Sequence, residues 1–211
     1  LNNQPLTWRE LCARVDALAS GFAAQGVMEG QGVALRAYNQ PETLLAWLAL
    51  LQCGARVLPL NPQLPAVLLQ ELLPALTVQH QLVLNGDTLP GNLPALTLQA
   101  AEGACAVCWH GDRLVSMTLT SGSTGLPKAA VHSANAHLAS AAGVLALMPF
   151  AAGDDWLLSL PLFHVSGQGI LWRWLLAGAR LTVSERTLAE ALQGCTHASL
   201  VPTQLWRLLN D

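Results

Sequence analysis

The sequence predicts an α/β fold in which parallel strands are flanked by helices. Short apolar runs typical of strands alternate with longer segments in which apolar residues recur at helical spacing. This alternation favours parallel pairing, because each helix returns the chain to the end of the sheet where the previous strand began. With 52% hydrophobic residues among 211, the chain also has enough apolar material for a globular core.

The first predicted element is a helix over residues 8–25, whose apolar residues repeat at helical spacing. Thr7 and Glu10 have the spacing of a capping box, and Gly26 follows the helix as its stop. The alternation continues with a strand over 33–37, a helix over 42–53 and a strand over 56–60.

Residues 85–113 carry a high density of turn residues, including Asn85-Gly86-Asp87, and predict a loop-rich connection. The sequence therefore divides into a first α/β subdomain over 1–84, this connection, and an α/β segment over 114–211 that is truncated at its end. The last segment is predicted to contain strands over 115–119, 156–160, 180–183 and 198–201, and helices over 135–147, 167–176, 188–192 and 203–209.

Charge and hydropathy argue against nucleic-acid and membrane-spanning functions. The net charge is −3, only 11% of residues are charged, and the basic residues are scattered singly. The long apolar tract 169–181 is interrupted by Arg173 and Arg180, and other apolar runs fall short of the about 18 residues that a spanning helix needs. The low fraction of charged residues predicts that part of the surface is covered, and a homo-oligomer is one way to cover it.

The start of the chain predicts a cytoplasmic protein, and its two ends together predict a fragment of a longer protein. Residues 1–5 are polar and lack the charged start and apolar run of a signal peptide. The chain begins with Leu1 and stops at Asp211, at the end of a predicted helix. We therefore expect a fragment of a longer cytoplasmic protein.

The five cysteines are irregularly spaced and favour reduced thiols. Cys105-x-x-Cys108, with His110 nearby, has a spacing used for zinc or redox chemistry. No second ligand pair follows it, so no metal site is expected there.

The most informative segment runs from Thr118 to Lys128, with the sequence TLTSGSTGLPK. It lies between a predicted strand and a predicted helix, and its glycines and small hydroxyl residues leave backbone N–H groups free to surround an anion. Lys128 adds a positive charge, which suits the phosphates of a nucleotide. The interval between Gly122 and Gly125, and Pro127 before the lysine, do not fit a Walker-type loop. A flexible Gly/Ser linker is the alternative interpretation.

This segment resembles the signature loop of adenylate-forming enzymes, which include acyl-CoA synthetases, adenylation domains of peptide synthetases and firefly luciferase. Residues 161–167, with the sequence PLFHVSG, resemble the aromatic-histidine motif of that superfamily, and residues 32–62 resemble its amino-terminal region. Over essentially its entire length the chain is similar to the o-succinylbenzoate–CoA ligases of menaquinone biosynthesis, a resemblance that also rests on residues 199–205.

The resemblance implies a two-step reaction. A carboxylate attacks the α-phosphate of Mg-ATP to give an acyl-adenylate, and the thiol of CoA then displaces AMP. ATP, Mg²⁺ and CoA would be the cofactors or co-substrates, and an aromatic keto acid, o-succinylbenzoate, would be the acid. The implied phosphate-binding residues are Thr120, Ser121, Gly122, Ser123, Thr124, Gly125 and Lys128.

The resemblance also implies an acid pocket. His164 would lie beside the acyl group and, with Lys128, would be catalytic, while Ser166 and Gln168 would contact the substrate's carboxylate or keto groups. The alternatives are a hydrogen-bonded core histidine and helix caps. Because ligands gather beyond the carboxyl ends of parallel strands, the turns that follow strands 115–119 and 156–160 are expected to share one cleft.

Several parts of the superfamily pattern are missing from these 211 residues. They are the Tyr-Gly-Leu-Thr-Glu segment whose glutamate holds Mg²⁺, the aspartate that binds the ribose, the hinge and the carboxy-terminal lysine. The chain alone is therefore expected to be inactive. A non-catalytic nucleotide-binding or interaction module that retains the loop is the alternative, and glycine spacing disfavours a P-loop-like hydrolase.

Overall fold

The computed structural model describes residues 5–103, 105, 107–120 and 127–210. The chain divides into two compact units, the first over residues 1–134 and the second over residues 135–211. Each unit contains its own sheet, and both sheets are built mainly from parallel strands. The predicted α/β class is confirmed.

The first unit is a helix-flanked sheet with the strand order β3-β1-β2-β4-β5. The first four of these strands run parallel, whereas β4 and β5 are antiparallel. Its elements are α1 (Trp8–Ala24), β1 (Gly32–Arg36), α2 (Pro41–Gln52), β2 (Arg56–Leu60), α3 (Ala66–Leu72), β3 (His80–Val83), β4 (Leu114–Thr120) and β5 (Lys128–Ser133).

Local sequence explains the start and end of α1. The Thr7 hydroxyl accepts a hydrogen bond from the backbone N–H of Glu10 at 3.2 Å, and the Glu10 carboxylate accepts one from the backbone N–H of Thr7 at 2.8 Å. This is the predicted capping box. Gly26 follows the helix with a φ of 94°, a conformation that favours glycine, and so confirms the predicted stop.

The core of the first unit lies around the central strands. All five residues of β1 are buried, as are four of the five residues of β2, which is typical of parallel strands covered on both faces. One cluster of buried side chains joins these strands to α3, β4 and the segment after β3: Ala34, Leu58, Leu60, Leu69, Leu73, Leu89 and Met117.

The turn-rich residues 85–113 lie within the first unit. The backbone N–H of Ala101 donates to the carbonyl of Ala17 at 3.0 Å, so this segment is fastened to α1. The buried Arg36 guanidinium donates to the carbonyl of Asp87 at 2.8 Å. Because β4 then pairs with β2, the sheet continues past this segment, and the compact unit extends to residue 134 rather than dividing near 84 or 113.

The second unit contains a smaller sheet with the order β7-β6-β8, in which both pairings are parallel. Its central strand carries Trp156, which is 1% exposed. The elements are α4 (Ala134–Leu147), which begins at the unit boundary, then β6 (Asp155–Leu157), α5 (Val165–Ala177), β7 (Arg180–Thr182), α6 (Leu188–Leu192), β8 (His197–Ala198) and α7 (Pro202–Asn210). In the described part of the chain, no helix combines the length and apolar character needed to cross a membrane.

Candidate functional site

The predicted phosphate segment is flanked by two paired strands. Thr120, the last residue of β4, is paired with Lys128, the first residue of β5. The Thr120 hydroxyl donates to the carbonyl of Lys128 at 3.2 Å, and both side chains are exposed. The remaining predicted phosphate-binding residues lie outside the described part of the chain: Ser121, Gly122, Ser123, Thr124 and Gly125.

The sequence-based placement of this segment between a strand and a helix is therefore wrong. The next element is β5, an antiparallel strand, and the helix begins only at Ala134. The Ala-rich start of β5 has weak intrinsic strand preference, so its conformation depends on pairing with β4. The antiparallel ladder places Thr120 and Lys128 side by side, at the separation of about 5 Å that such pairs have.

His164 lies at the start of α5 and is exposed. Its backbone N–H donates to the carbonyl of Pro161 at 3.0 Å, and its carbonyl accepts from the N–H groups of Gly167 and Gln168. The imidazole lies 5.0 Å from the ring of Phe163. The alternative of a histidine sealed in the core does not describe this side chain, and its catalytic role stays a prediction.

Gly167 allows the tight turn that presents His164. A Cβ at this position would lie 2.2 Å from the carbonyl oxygen of Pro161, far inside van der Waals contact. Only a residue without a side chain therefore lets α5 begin directly against the end of the preceding turn.

Ser166 and Gln168 occupy different environments. Ser166 is exposed in the first turn of α5, and the N-cap position belongs to His164, whose side chain makes no capping hydrogen bond. Gln168 is fully buried, and its amide donates to the carbonyl of Leu162 at 3.2 Å. In this structure Gln168 stabilises the turn before α5, whereas Ser166 is open to solvent. Their substrate contacts stay predictions.

Arg173, which interrupts the apolar tract 169–181 in the sequence, is a further candidate site residue. It lies on α5 with its guanidinium 4.8 Å above the ring of Trp156, and its Nη1 lies 3.4 Å from the hydroxyl of Ser199. Burial lowers the pKa of this side chain below its ordinary value, so its charge is held in a partly desolvated place. An arginine in the middle of an apolar run is the signal that points to such a group.

A half-buried guanidinium of this kind is suited to a carboxylate. Arginine presents several donors in a planar fork, and a partly dry environment strengthens its attraction to an anion. The guanidinium of Arg173 lies close to Gly169 on the same helix, where a Cβ would be 2.8 Å from its Nη2. A side chain at position 169 would therefore crowd the guanidinium.

His137, His197, Trp172 and Trp174 make packing and hydrogen-bond contacts within the second unit. His137 stacks on Trp172 at 5.1 Å, and the indole N–H of Trp174 donates to the carbonyl of Ala179 at 3.1 Å. His197 lies 2.9 Å from the carbonyl of Pro149 through Nε2. Among the described residues, no group of three potential metal-ligating side chains is present.

The chain is similar in sequence and structure to 2-succinylbenzoate–CoA ligases. The 2-succinylbenzoate–CoA ligase of Escherichia coli strain K12 is 70% identical over 210 residues, which are 99% of this chain and 47% of the relative. The structure of an E. coli MenE variant with bound OSB-AMS has a TM-score of 0.95 and 69% identity, and the match covers 99% of this chain and 47% of that chain.

A more distant structure shares the same fold. It is the o-succinylbenzoate CoA synthetase, MenE, of Bacillus subtilis in complex with the acyl-adenylate intermediate OSB-AMP. Its TM-score is 0.86 at 25% identity, and the match covers all of this chain and 59% of that chain. This chain thus spans about half the length of the curated relatives that it matches. The family model described as AMP-binding enzyme matches residues 2–211, and the chain therefore belongs to the AMP-binding enzyme family.

Proposed function

We propose that this chain is the amino-terminal part of an ATP-dependent ligase that joins 2-succinylbenzoate to CoA through an acyl-adenylate. The observation that carries the proposal is the 70% identity to the E. coli ligase, maintained over 99% of the chain. The phosphate segment and the turn at His164 both lie within the matched residues, and the proposal assigns ATP and acid binding to them.

The β4–β5 pair would hold the β- and γ-phosphates of ATP. Thr120 brings a hydroxyl and Lys128 brings a positive charge to the same end of one ladder, and both side chains are accessible. Ser121, Ser123 and Thr124 would add hydroxyl donors, and Gly122 and Gly125 would let the backbone approach the phosphates. Phosphoryl chemistry of this kind depends chiefly on positioning and charge stabilisation, which these groups supply.

The second unit would bind the acid. 2-Succinylbenzoate carries two carboxylates, and only one of them is activated, so the other needs a cationic partner. Arg173 has the half-buried guanidinium for this contact, and His164 and Ser166 are exposed at the start of the same helix. The buried Gln168 would act by holding the turn that presents His164.

The remaining parts of the reaction lie outside this chain in our proposal. We place the glutamate ligand of Mg²⁺, the ribose-binding aspartate and the carboxy-terminal lysine beyond residue 211.

The cysteines also support a cytoplasmic location, because all five are free thiols in the structure.

Comparing the chain with its full-length protein tests the proposed function. The full-length protein, given ATP, Mg²⁺, CoA and 2-succinylbenzoate, is expected to form the thioester and to fail with acetate. The 211-residue chain alone is expected to form none, because the groups listed above are absent from it. Mass spectrometry of the CoA ester is the measurement. Thioester formation by the chain alone would show that the site is complete within it, and an inactive full-length protein would support a non-catalytic nucleotide-binding module instead.

Lys128→Ala in the full-length protein is expected to lower the rate of adenylation by about ten- to a hundredfold. The substitution removes a charge-assisted contact to phosphate, which is worth roughly 1.5–3 kcal/mol. Exchange of labelled pyrophosphate into ATP measures this step directly. Lys128→Arg, which keeps the charge, should retain more activity. If Lys128→Ala exchanges pyrophosphate at the wild-type rate, the lysine is only a solvated residue of the β4–β5 ladder.

A further inference from the structure

Two cysteines that are 52 positions apart in the sequence meet beside the end of α2. Cys53 directly follows this helix and is 1% exposed, and its thiol donates to the carbonyl of Ala19 on α1 at 3.0 Å. Burial is the main reason that the pKa of Cys53 is raised to about 12, so this thiol is protonated at neutral pH.

Cys105 lies against Cys53. Its sulfur is 3.8 Å from the carbonyl oxygen of Gln52, the residue before Cys53, and its interaction with the Cys53 thiol contributes to the raised pKa of Cys53. Unlike Cys53, Cys105 is partly exposed to solvent. One member of the pair is therefore accessible to a small reagent, while the other is covered.

The segment that carries Cys105 is fastened to α1. The hydroxyl of Ser20 donates to the carbonyl of Gly103 at 2.9 Å, and the backbone N–H of Ala101 donates to the carbonyl of Ala17 at 3.0 Å. These two contacts hold the segment on α1 before any covalent bond forms.

Arg113 places a positive charge beside both sulfurs. Its guanidinium donates to the carbonyl of Leu51 at 2.6 Å and lies 4.8 Å above the ring of Trp109. It interacts electrostatically with Cys53 and Cys105, and among the described residues its buried Nε and Nη1 have no hydrogen-bond partner. A guanidinium in this position stabilises negative charge that develops on sulfur during oxidation or exchange.

We propose that Cys53 and Cys105 form a redox modification site, which a peroxide converts into an intramolecular disulfide. The Cys105 thiolate attacks one peroxide oxygen, so that an S–O bond forms, the O–O bond breaks and an alcohol or water leaves after protonation. The Cys53 thiol then attacks the sulfenic sulfur, which forms the S–S bond and breaks the S–O bond. The released hydroxide takes the proton of Cys53 and leaves as water. Both sulfurs are oxidised by one electron each, and the peroxide is reduced by two.

This pairing differs from the one that the sequence suggests. Cys108 is three residues from Cys105 in a Cys-x-x-Cys spacing, but it is exposed, whereas the sulfur of Cys105 contacts the carbonyl of Gln52, next to Cys53. A Cys53–Cys105 disulfide and a Cys105–Cys108 disulfide give different linked peptides after digestion, so mass spectrometry distinguishes them.

The test uses the native full-length protein that carries this chain. The reduced protein is treated with hydrogen peroxide, free thiols are blocked with N-ethylmaleimide, and the protein is digested without reduction for mass spectrometry. The expected product is a peptide pair joined through Cys53 and Cys105 that dithiothreitol releases. Cys105→Ser should abolish this product, whereas Cys108→Ser, the matched control, should leave its yield within about twofold.

Thermal unfolding of the wild-type protein is a second test, which needs no variant. Because the disulfide closes a loop of about 50 residues, the oxidised protein should unfold several degrees above the reduced protein, and dithiothreitol should reverse the difference. Linkage of Cys105 to Cys108, oxidation of Cys105 to sulfinic acid without a link to Cys53, or two free thiols after peroxide treatment would each overturn the proposal.

Discussion

Gly21→Ala is expected to lower the free energy of unfolding of the first unit by about 3 kcal/mol. A Cβ at this position of α1 would lie 1.7 Å from the carbonyl oxygen of Gln99 and 2.8 Å from its carbonyl carbon. The obstacle is backbone, which cannot rotate away like the end of a side chain. The segment around Gln99 would have to move off α1, and its contacts through Ala101 would be lost with it.

Gly143→Ala is the matched control for this prediction. Gly143 also lies within a helix, α4, but a Cβ there would meet no atom of the described residues within 4 Å outside its own helix backbone and chain neighbours. The same substitution should therefore stabilise the protein by about 0.5–1 kcal/mol, because alanine favours the helix over glycine. Urea unfolding followed by circular dichroism measures both changes. A Gly21→Ala protein as stable as the wild type would show that α1 and the Gln99 segment do not pack as closely as described.

Arg173→Ala is expected to lower kcat/KM for 2-succinylbenzoate in the full-length protein by about a hundredfold or more. Removing the guanidinium would leave a substrate carboxylate partly buried without a cationic partner. Because this contact is proposed for the acid alone, the KM for ATP should change little. Steady-state kinetics with each substrate varied in turn separates these effects.

Arg173→Lys distinguishes charge from packing. Lysine keeps the positive charge but loses the planar fork and the stacking over Trp156, so an intermediate loss is expected. Thermal unfolding of both variants shows whether the second unit still folds. If Arg173→Ala folds normally and keeps its kcat/KM for the acid, the guanidinium does not bind the substrate.

The first two helices and the strand that follows each of them are predictable from sequence, because local signals and tertiary contacts agree there. The helix predicted over 8–25 is α1 (Trp8–Ala24), with its predicted capping box, and the strand predicted over 56–60 is β2 without change. The predicted α6 also keeps its bounds, with Thr187 and Glu190 as a second capping box.

The sequence does not predict α3, β3 and β5, since their conformations depend on distant partners. In β3, Gln81 is 3% exposed and yet polar, which breaks the apolar pattern of a buried strand. Its amide donates to the carbonyl of Leu93 at 2.8 Å and accepts from the N–H of Leu89 at 3.0 Å. These loop partners satisfy the buried side chain, and no local pattern indicates them.

The candidate site is only partly visible in the sequence for a similar reason. The exposed positions of Thr120, Lys128, His164 and Ser166 agree with the roles implied by the resemblance, and those roles stay predictions. An arginine within an apolar run marks Arg173 in the sequence, but only its half-buried place over Trp156 in the structure makes it a candidate for binding the acid.

The ladder between β4 and β5 has a consequence for how the phosphate segment tolerates insertions. Its six rungs, from Leu114 paired with Ser133 to Thr120 paired with Lys128, fix both ends of residues 121–127 to the sheet. The entropy of closing a chain between two fixed ends grows only with the logarithm of its length, so doubling that length costs only about 0.6 kcal/mol. Insertions into this segment are therefore expected to cost little stability, while Lys128 stays in register with Thr120.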